Sequence, residues 1–370
     1  MQTLEFINHV NPVWDMLMLG TCPIPDTEVI FLKEFRLHGI SFELFSSDPE
    51  VLKFDWFDFE LNNWTESIET LQIFVLPVES ELSRRPILND NVGKSISFST
   101  PTRNEFRMCE IEGGWTCFWS RSMVAAIDKL KNCAYMFINV LSSAGSPDSE
   151  NGTMTFIRVK TDDPLYIYFH VVLHELLIHK GWMTLHASGL EKNGCGLLVI
   201  APSGGGKSTL ALALLRAGFK LVGEDRVLLR LGKKGVEAWA FPTFIKVTPW
   251  TFAQFHAFLP PSCRPPSRTS KAVIDPRSID FIHFATNCRV EKIIFPESGR
   301  LSGGAECRRC KSWSQIVACL MESMVVTGSK SAGMVLEYSA ALVDQCQAFR
   351  FTKGNTVSEI APTILDVLNA

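Results

Sequence analysis

The stretch Ala201 to Thr209 (APSGGGKST) constrains this chain more than any other, because of what stands on either side of it. Upstream, Gly196 to Ile200 (GLLVI) is a continuous apolar run, as expected of a strand buried on both faces in a parallel sheet. Downstream, Leu210 to Ala217 (LALALLRA) holds only good helix formers and no β-branched residue. Gly218 follows, the residue expected just past a helix C-terminus. The order is strand, glycine loop, helix.

Geometry and charge together make that loop a place for phosphate. Gly204, Gly205 and Gly206 can turn successive backbone N–H groups into one concavity without a side chain in the way. The helix N-terminus adds unpaired donors and a partial positive charge. Lys207 would reach the β- and γ-phosphates of ATP, and the Ser208 hydroxyl would ligate Mg²⁺. The expected nucleotide-binding set is therefore Ser203, Gly204, Gly205, Gly206, Lys207, Ser208 and Thr209. The pattern G-x-x-x-x-G-K-[ST] begins here with Ala201, which is tolerable where that position has an ordinary negative φ.

Composition narrows the classes. With 370 residues, 46% hydrophobic and 20% charged, the chain can bury a large core and is long enough for two domains. A net charge of −3 with both signs scattered along the chain provides no basic surface for nucleic acid. No apolar stretch is long enough to span a bilayer, and the first residues (MQTLEFINHV) lack a secretory pattern, so the expectation is a cytoplasmic protein without a membrane partner. Eleven dispersed cysteines, an odd number, fit reduced thiols better than a disulfide framework. Cys307 and Cys310 form a C-x-x-C pair. A zinc site would need His283 and Cys288 as well, at a spacing that matches no common finger, so a turn in a basic loop is favoured.

Residues 143–153 (SAGSPDSENGT) read as a surface connection, which places a domain boundary near residue 150. The first part, 1–150, alternates short runs such as Val29 to Leu32, Ile40 to Phe45 and Leu71 to Leu76 with polar breaks, as in an α+β domain with an antiparallel sheet. Trp56, Phe57, Phe59, Trp64, Trp115 and Trp119 look like core or interface packing. The second part, 151–370, opens with a strand at Thr155 to Val159 and a helix from Leu165 to Lys180, whose His170 and His174 share a face, with Glu175 next, and read as packing or surface residues and not metal ligands. Met183 to Gly189 follows as a strand carrying His186, with a turn at Glu191 to Gly194.

Beyond the loop and its helix, Phe219 to Val222 is a short strand ending in Gly223, Glu224, Asp225 and Arg226. Two carboxylates at a strand end beside a phosphate loop can divide two tasks, holding Mg²⁺ and accepting a proton from a hydroxyl nucleophile. Arg226 is open to a phosphate, to the acids or to solvent. Later come a strand-like stretch Trp239 to Val247 broken by Pro242, a proline-rich loop at 260–271 whose Arg264, Arg268 and Lys271 could clamp an anion, a strand at 290–295, and helices at 312–325 and 355–369.

The run His186-Ala-Ser-Gly, then the glycine loop, then Gly218 through Gly223-Glu-Asp-Arg-Val227, resembles the catalytic core of the HPr kinase/phosphorylase family and its HPr-kinase-related relatives. The likeness is close over 183–231 and looser over 155–300. It implies an α/β fold, a P-loop sheet flanked by helices like the HPr kinase C-terminal domain and phosphoenolpyruvate carboxykinase, behind an N-terminal α+β domain. It implies an ATP-dependent serine kinase using Mg²⁺, with a protein or peptide phosphoacceptor; a homo-oligomer is compatible with it. By the same resemblance Glu224 falls on the base, Asp225 on the metal-associated aspartate and His186 on the histidine that tunes the base, with Lys207 and Ser208 at the phosphates and metal. Glu224 is one methylene longer than the family's aspartate, and residues 1–142 do not match the family's N-terminal domain. Two other readings stand beside it: a phosphoenolpyruvate-carboxykinase-like enzyme, which would need a Mn²⁺ site and an arginine-lined pocket, and a nucleotide-sensing regulator without catalysis.

Overall fold

The computed structural model describes residues 31–46, 69–78, 96–99, 105–111, 114–120, 123–139, 164–241, 243–267, 270–300, 304–324, 326–327, 329–354 and 356–369. The 143–153 segment, the expected strand at 155–159, and Trp56, Phe57, Phe59, Trp64, Pro242 and Arg268 lie outside them. The chain is mixed α/β and divides into two units, Met1–Lys180 and Gly181–Ala370, so the division falls after Lys180 and the first helix lies on its N-terminal side.

In the first unit eight strands form one sheet in the order β1-β2-β3-β8-β7-β6-β5-β4. They are β1 (Phe31–Leu37), β2 (Ile40–Ser46), β3 (Glu69–Val78), β4 (Ile96–Ser99), β5 (Glu105–Ile111), β6 (Trp115–Trp119), β7 (Met123–Asp128) and β8 (Cys133–Asn139). The expected antiparallel sheet is in fact mixed. The β2–β3 and β3–β8 pairs are parallel, which only a long connection permits, whereas the tight turn at His38-Gly39, both at positive φ, closes an antiparallel hairpin. Every residue of β7 is buried, as an apolar run (MVAAI) requires. Helix α1 (Pro164–Ile178) packs on β7 and β8, with His170, His174 and Glu175 buried in it and Glu175 3.3 Å from His179.

The second unit is built on a sheet ordered β17-β12-β10-β11-β18-β14-β13-β9, with β20 beside β18 and β19 beside β20. Its strands are β9 (Trp182–Leu185), β10 (Ser188–Lys192), β11 (Cys195–Val199), β12 (Lys220–Gly223), β13 (Val227–Gly232), β14 (Gly235–Trp239), β17 (His283–Phe284), β18 (Asn287–Arg300), β19 (Glu306–Arg309) and β20 (Gln347–Lys353). A small separate pair, β15 (Ile245–Val247) and β16 (Ala272–Ile274), lies off it. The helices are α2 (Lys207–Arg216), α3 (Pro249–Phe255), α4 (Trp313–Ser323), α5 (Ser329–Gln345) and α6 (Ile360–Asn369).

Strand β11 runs parallel to β18 and antiparallel to β10, to which Asn193-Gly194, both at positive φ, joins it. Helix α2 is buried from Leu210 to Leu215 and packs against β10 and β11 on one side and α6 on the other. Ile360 and Ile364 of α6 close the core over it. This fixes the N-terminus of α2 at the C-terminal ends of β11 and β18.

Helix α5 and strand β20 were not anticipated. The start of α5 (SKSAG) is rich in small and polar residues that propensity assigns to loops, and its helical state is secured by packing on β14, β18 and β9. Among the described residues, no helix is long and apolar enough to cross a membrane, and no group of three or more His, Cys, Asp or Glu is placed to hold a metal ion. The described cysteines are free thiols, Cys307 and Cys310 among them.

Candidate functional site

The 201–206 loop leaves β11 with Ile200 N donating to Ile294 O of β18 (2.9 Å) and tightens through Gly205 N to Pro202 O (3.0 Å). Gly204 and Gly206 have φ of 81° and 97°, a region that side chains disfavour, and a Cβ on Gly205 would lie 2.8 Å from the Ala201 Cβ. Ala201 itself stays outside the left-handed region, which is the condition its presence required. Gly206 caps α2 without a side-chain hydrogen bond, and Leu210 is the first amide to reach back, 3.0 Å to Gly206 O. The amides of Lys207, Ser208 and Thr209 therefore have no intrahelical acceptor. They open on a cavity of about 340 Å³ walled by Ser203 through Leu210.

Two interruptions between strands meet at the edge of that cavity. The expected single strand from Met183 to Gly189 is interrupted: β9 pairs with β13 (Leu185 opposite Val227), β10 pairs with β12 (Gly189 opposite Gly223), and the two ladders share one register across the gap. His186 and Ala187 stand in one break, Glu224 to Arg226 in the other. Gly223 is required at the second, since a Cβ there would sit 2.6 Å from Arg226 O. Asp225 takes φ of 65°, a conformation that Asp adopts more readily than most residues and that turns consecutive acids to different sides.

The result is a chain of contacts. Lys207 Nζ lies 2.9 Å from His186 Nε2, 2.6 Å from Ala201 O and 3.3 Å from Pro202 O, which occupies all three ammonium donors. Because lysine only donates, His186 Nε2 accepts. The imidazole proton is then on Nδ1, which donates to Asp225 O at 2.8 Å and lies 3.3 Å from Asp225 Oδ1. Burial pushes the His186 pKa below its ordinary 6.5, the Asp225 charge opposing, in keeping with a neutral ring. Burial likewise lowers Lys207, against the pull of Asp225 and Glu224. For Asp225 burial acts upward, but His186, Lys246, Arg226 and Lys207 together hold its carboxyl below the usual range.

The two acids differ in their surroundings. Asp225 lines the cavity, whereas Glu224 is only 2% exposed and does not. Both Glu224 carboxyl oxygens are buried without a hydrogen bond of ordinary geometry. Burial raises its pKa, the nearby Ser188 and Ser208 hydroxyls acting the other way. Its backbone carbonyl accepts from Thr243 Oγ1, which secures the turn. Arg226 does not line the cavity, and its Nε is buried without a hydrogen-bond partner.

Several lining residues come from outside the glycine loop and the acidic turn. Lys246 of β15 lies 3.9 Å from Asp225 Oδ2, Lys271 donates to Ser203 Oγ at 3.3 Å, and Lys353 and Glu297 enter from β20 and β18. The only sequence signal for Lys246 is its place between the buried Ile245 and Val247, which sends the intervening side chain to the opposite face. From the proline-rich loop Lys271 lines the cavity and the exposed Arg264 does not. Four lysines (207, 246, 271 and 353) thus face two carboxylates (Asp225 and Glu297), a balance suited to a polyanion.

No protein-family model and no curated protein matches the chain. Among solved structures it is similar to the HPr(Ser) kinase/phosphatase from Coxiella burnetii, at 15% identity and a TM-score of 0.27, over 50% of this chain and 93% of that one.

Proposed function

We propose that this chain is a phosphotransferase, passing the terminal phosphoryl group of ATP to a hydroxyl of a protein or peptide, with the 201–209 segment acting as a P-loop. The observation that carries the reading is the contact chain from Lys207 through His186 to Asp225 on the wall of a cavity onto which the first turn of α2 opens. The loop amides and lysines bind and orient the phosphates, so positioning and charge offset supply most of the rate. Lys207 exchanges its carbonyl contacts for phosphate oxygens.

Asp225, not Glu224, takes the acceptor's proton in this reading. Its carboxylate faces the cavity, is held ionised, and is oriented by His186 Nδ1. The acceptor oxygen bonds to phosphorus as the bond to the departing diphosphate breaks, and the hydroxyl proton passes to Asp225. His186 is a positioning residue.

Glu224 and Ser208 fit Mg²⁺. Ser208 lines the cavity and the buried Glu224 carboxyl, whose oxygens make no hydrogen bond of ordinary geometry, lies near its hydroxyl, so these two oxygen donors would hold such a hard cation. When bound, the ion offsets charge on the phosphates.

The test is incubation with γ-labelled magnesium ATP and a cell extract, followed by identification of the labelled species. Label on serine or threonine of a protein is expected. Binding of ATP with no transfer would leave a nucleotide sensor, and no binding at all would remove the phosphate site.

A further inference from the structure

The lining of the cavity beyond the phosphate loop bears on which nucleotides such a site accepts, and the inference drawn from it rests on the reading above. His186, Lys207 and Asp225 gather on one side of the glycine loop. Two residues further along α2 the wall changes: Thr209 Oγ1 lies 2.7 Å from Thr251 Oγ1, and Thr251 follows Trp250 on α3. The Lys353 ammonium is 5.4 Å from the Trp250 ring centroid. Phe351 of β20 and Ile360 of α6, both buried, complete this apolar end of the same cavity.

We propose that Trp250 is the stacking platform for the base of a nucleoside triphosphate whose phosphates occupy the glycine loop. A half-buried indole on the wall of a cavity that also carries an anion site suits a flat π-face, and the Lys353 ammonium stands beside the ring. A ring face accepts any base, so stacking supplies affinity with weak discrimination between purines.

Calorimetry with the magnesium complexes of ATP, GTP and tripolyphosphate decides it. The wild type should bind ATP and GTP alike, and about tenfold or more tighter than tripolyphosphate. Trp250→Ala should lose that margin while keeping its tripolyphosphate affinity, and Trp250→Phe should retain most of it. ATP affinity unchanged in Trp250→Ala overturns the inference, as does equal affinity of the wild type for ATP and tripolyphosphate, a result that needs no variant to fold. That second result leaves the phosphate site standing, whereas a wild type that binds none of the three ligands removes both.

Discussion

Lys207 donates to His186 Nε2 across 2.9 Å while His186 Nδ1 donates to the Asp225 carbonyl, so one neutral imidazole joins the loop lysine to the cavity acid. Each partner fixes the state of the next. A lysine can only donate and a carbonyl can only accept, and the ring between them has a single tautomer that satisfies both.

Lys207→Ala removes the one cation within the loop that touches this ring. Transfer from ATP should fall by about 10²-fold or more, and nucleotide affinity should weaken. Undiminished transfer in a filter-binding assay of that variant would contradict the assigned site.

The two acids are separable by isosteric change. Asp225→Asn keeps a side chain that tolerates φ of 65° but cannot take a proton, so transfer should drop by about 10²-fold or more with nucleotide binding retained. Glu224→Gln should instead raise the magnesium concentration needed for half-maximal rate by about tenfold or more. A reversal of these two phenotypes in steady-state kinetics would return the roles to the assignment that the resemblance implied.

His186 makes stability depend on pH. Its folded pKa lies below 6.5, so the unfolded chain takes up the proton first; stability is complete above about 6.5 and declines as pH falls from there through the depressed value. In magnesium-free buffer, the melting temperature of the wild type should therefore fall more between about pH 7 and pH 5 than that of His186→Gln. Parallel melting curves for the two proteins would show that the ring is not held neutral.

Packing of β11 on β18 can be tested far from the loop. A Cβ on Gly196 would lie 2.3 Å from Arg289 O and 2.6 Å from Cys288 Sγ, so Gly196→Ala forces backbone apart. We expect a loss of about 1–3 kcal/mol in urea unfolding, as for other overpacked cores. Gly333→Ala in α5 meets nothing within 4 Å and should be stabilising by about 0.5–1 kcal/mol. Equal effects at the two glycines would mean that β11 and β18 are not in the register described.

What the chain's order of residues determined was local. An apolar run, three glycines and a run of helix formers specify strand, loop and helix, because each depends on backbone freedom and side-chain period within a few residues. The expected β11 and β12 appear to within a residue, whereas α2 begins three residues earlier, at Lys207, and β18 is longer at both ends, Asn287–Arg300 against 290–295. Tertiary structure alone decided which acid faces the cavity. Glu224 and Asp225 are neighbours with the same chemistry, and only the positive φ at Asp225, set where the β9–β13 and β10–β12 ladders part, sends one carboxylate to the cavity and buries the other. The same holds for Lys246, Trp250 and Lys353. They lie in separate segments of unremarkable local pattern, and it is the docking of α3, β15 and β20 around the N-terminus of α2 that brings them to one anion-sized space.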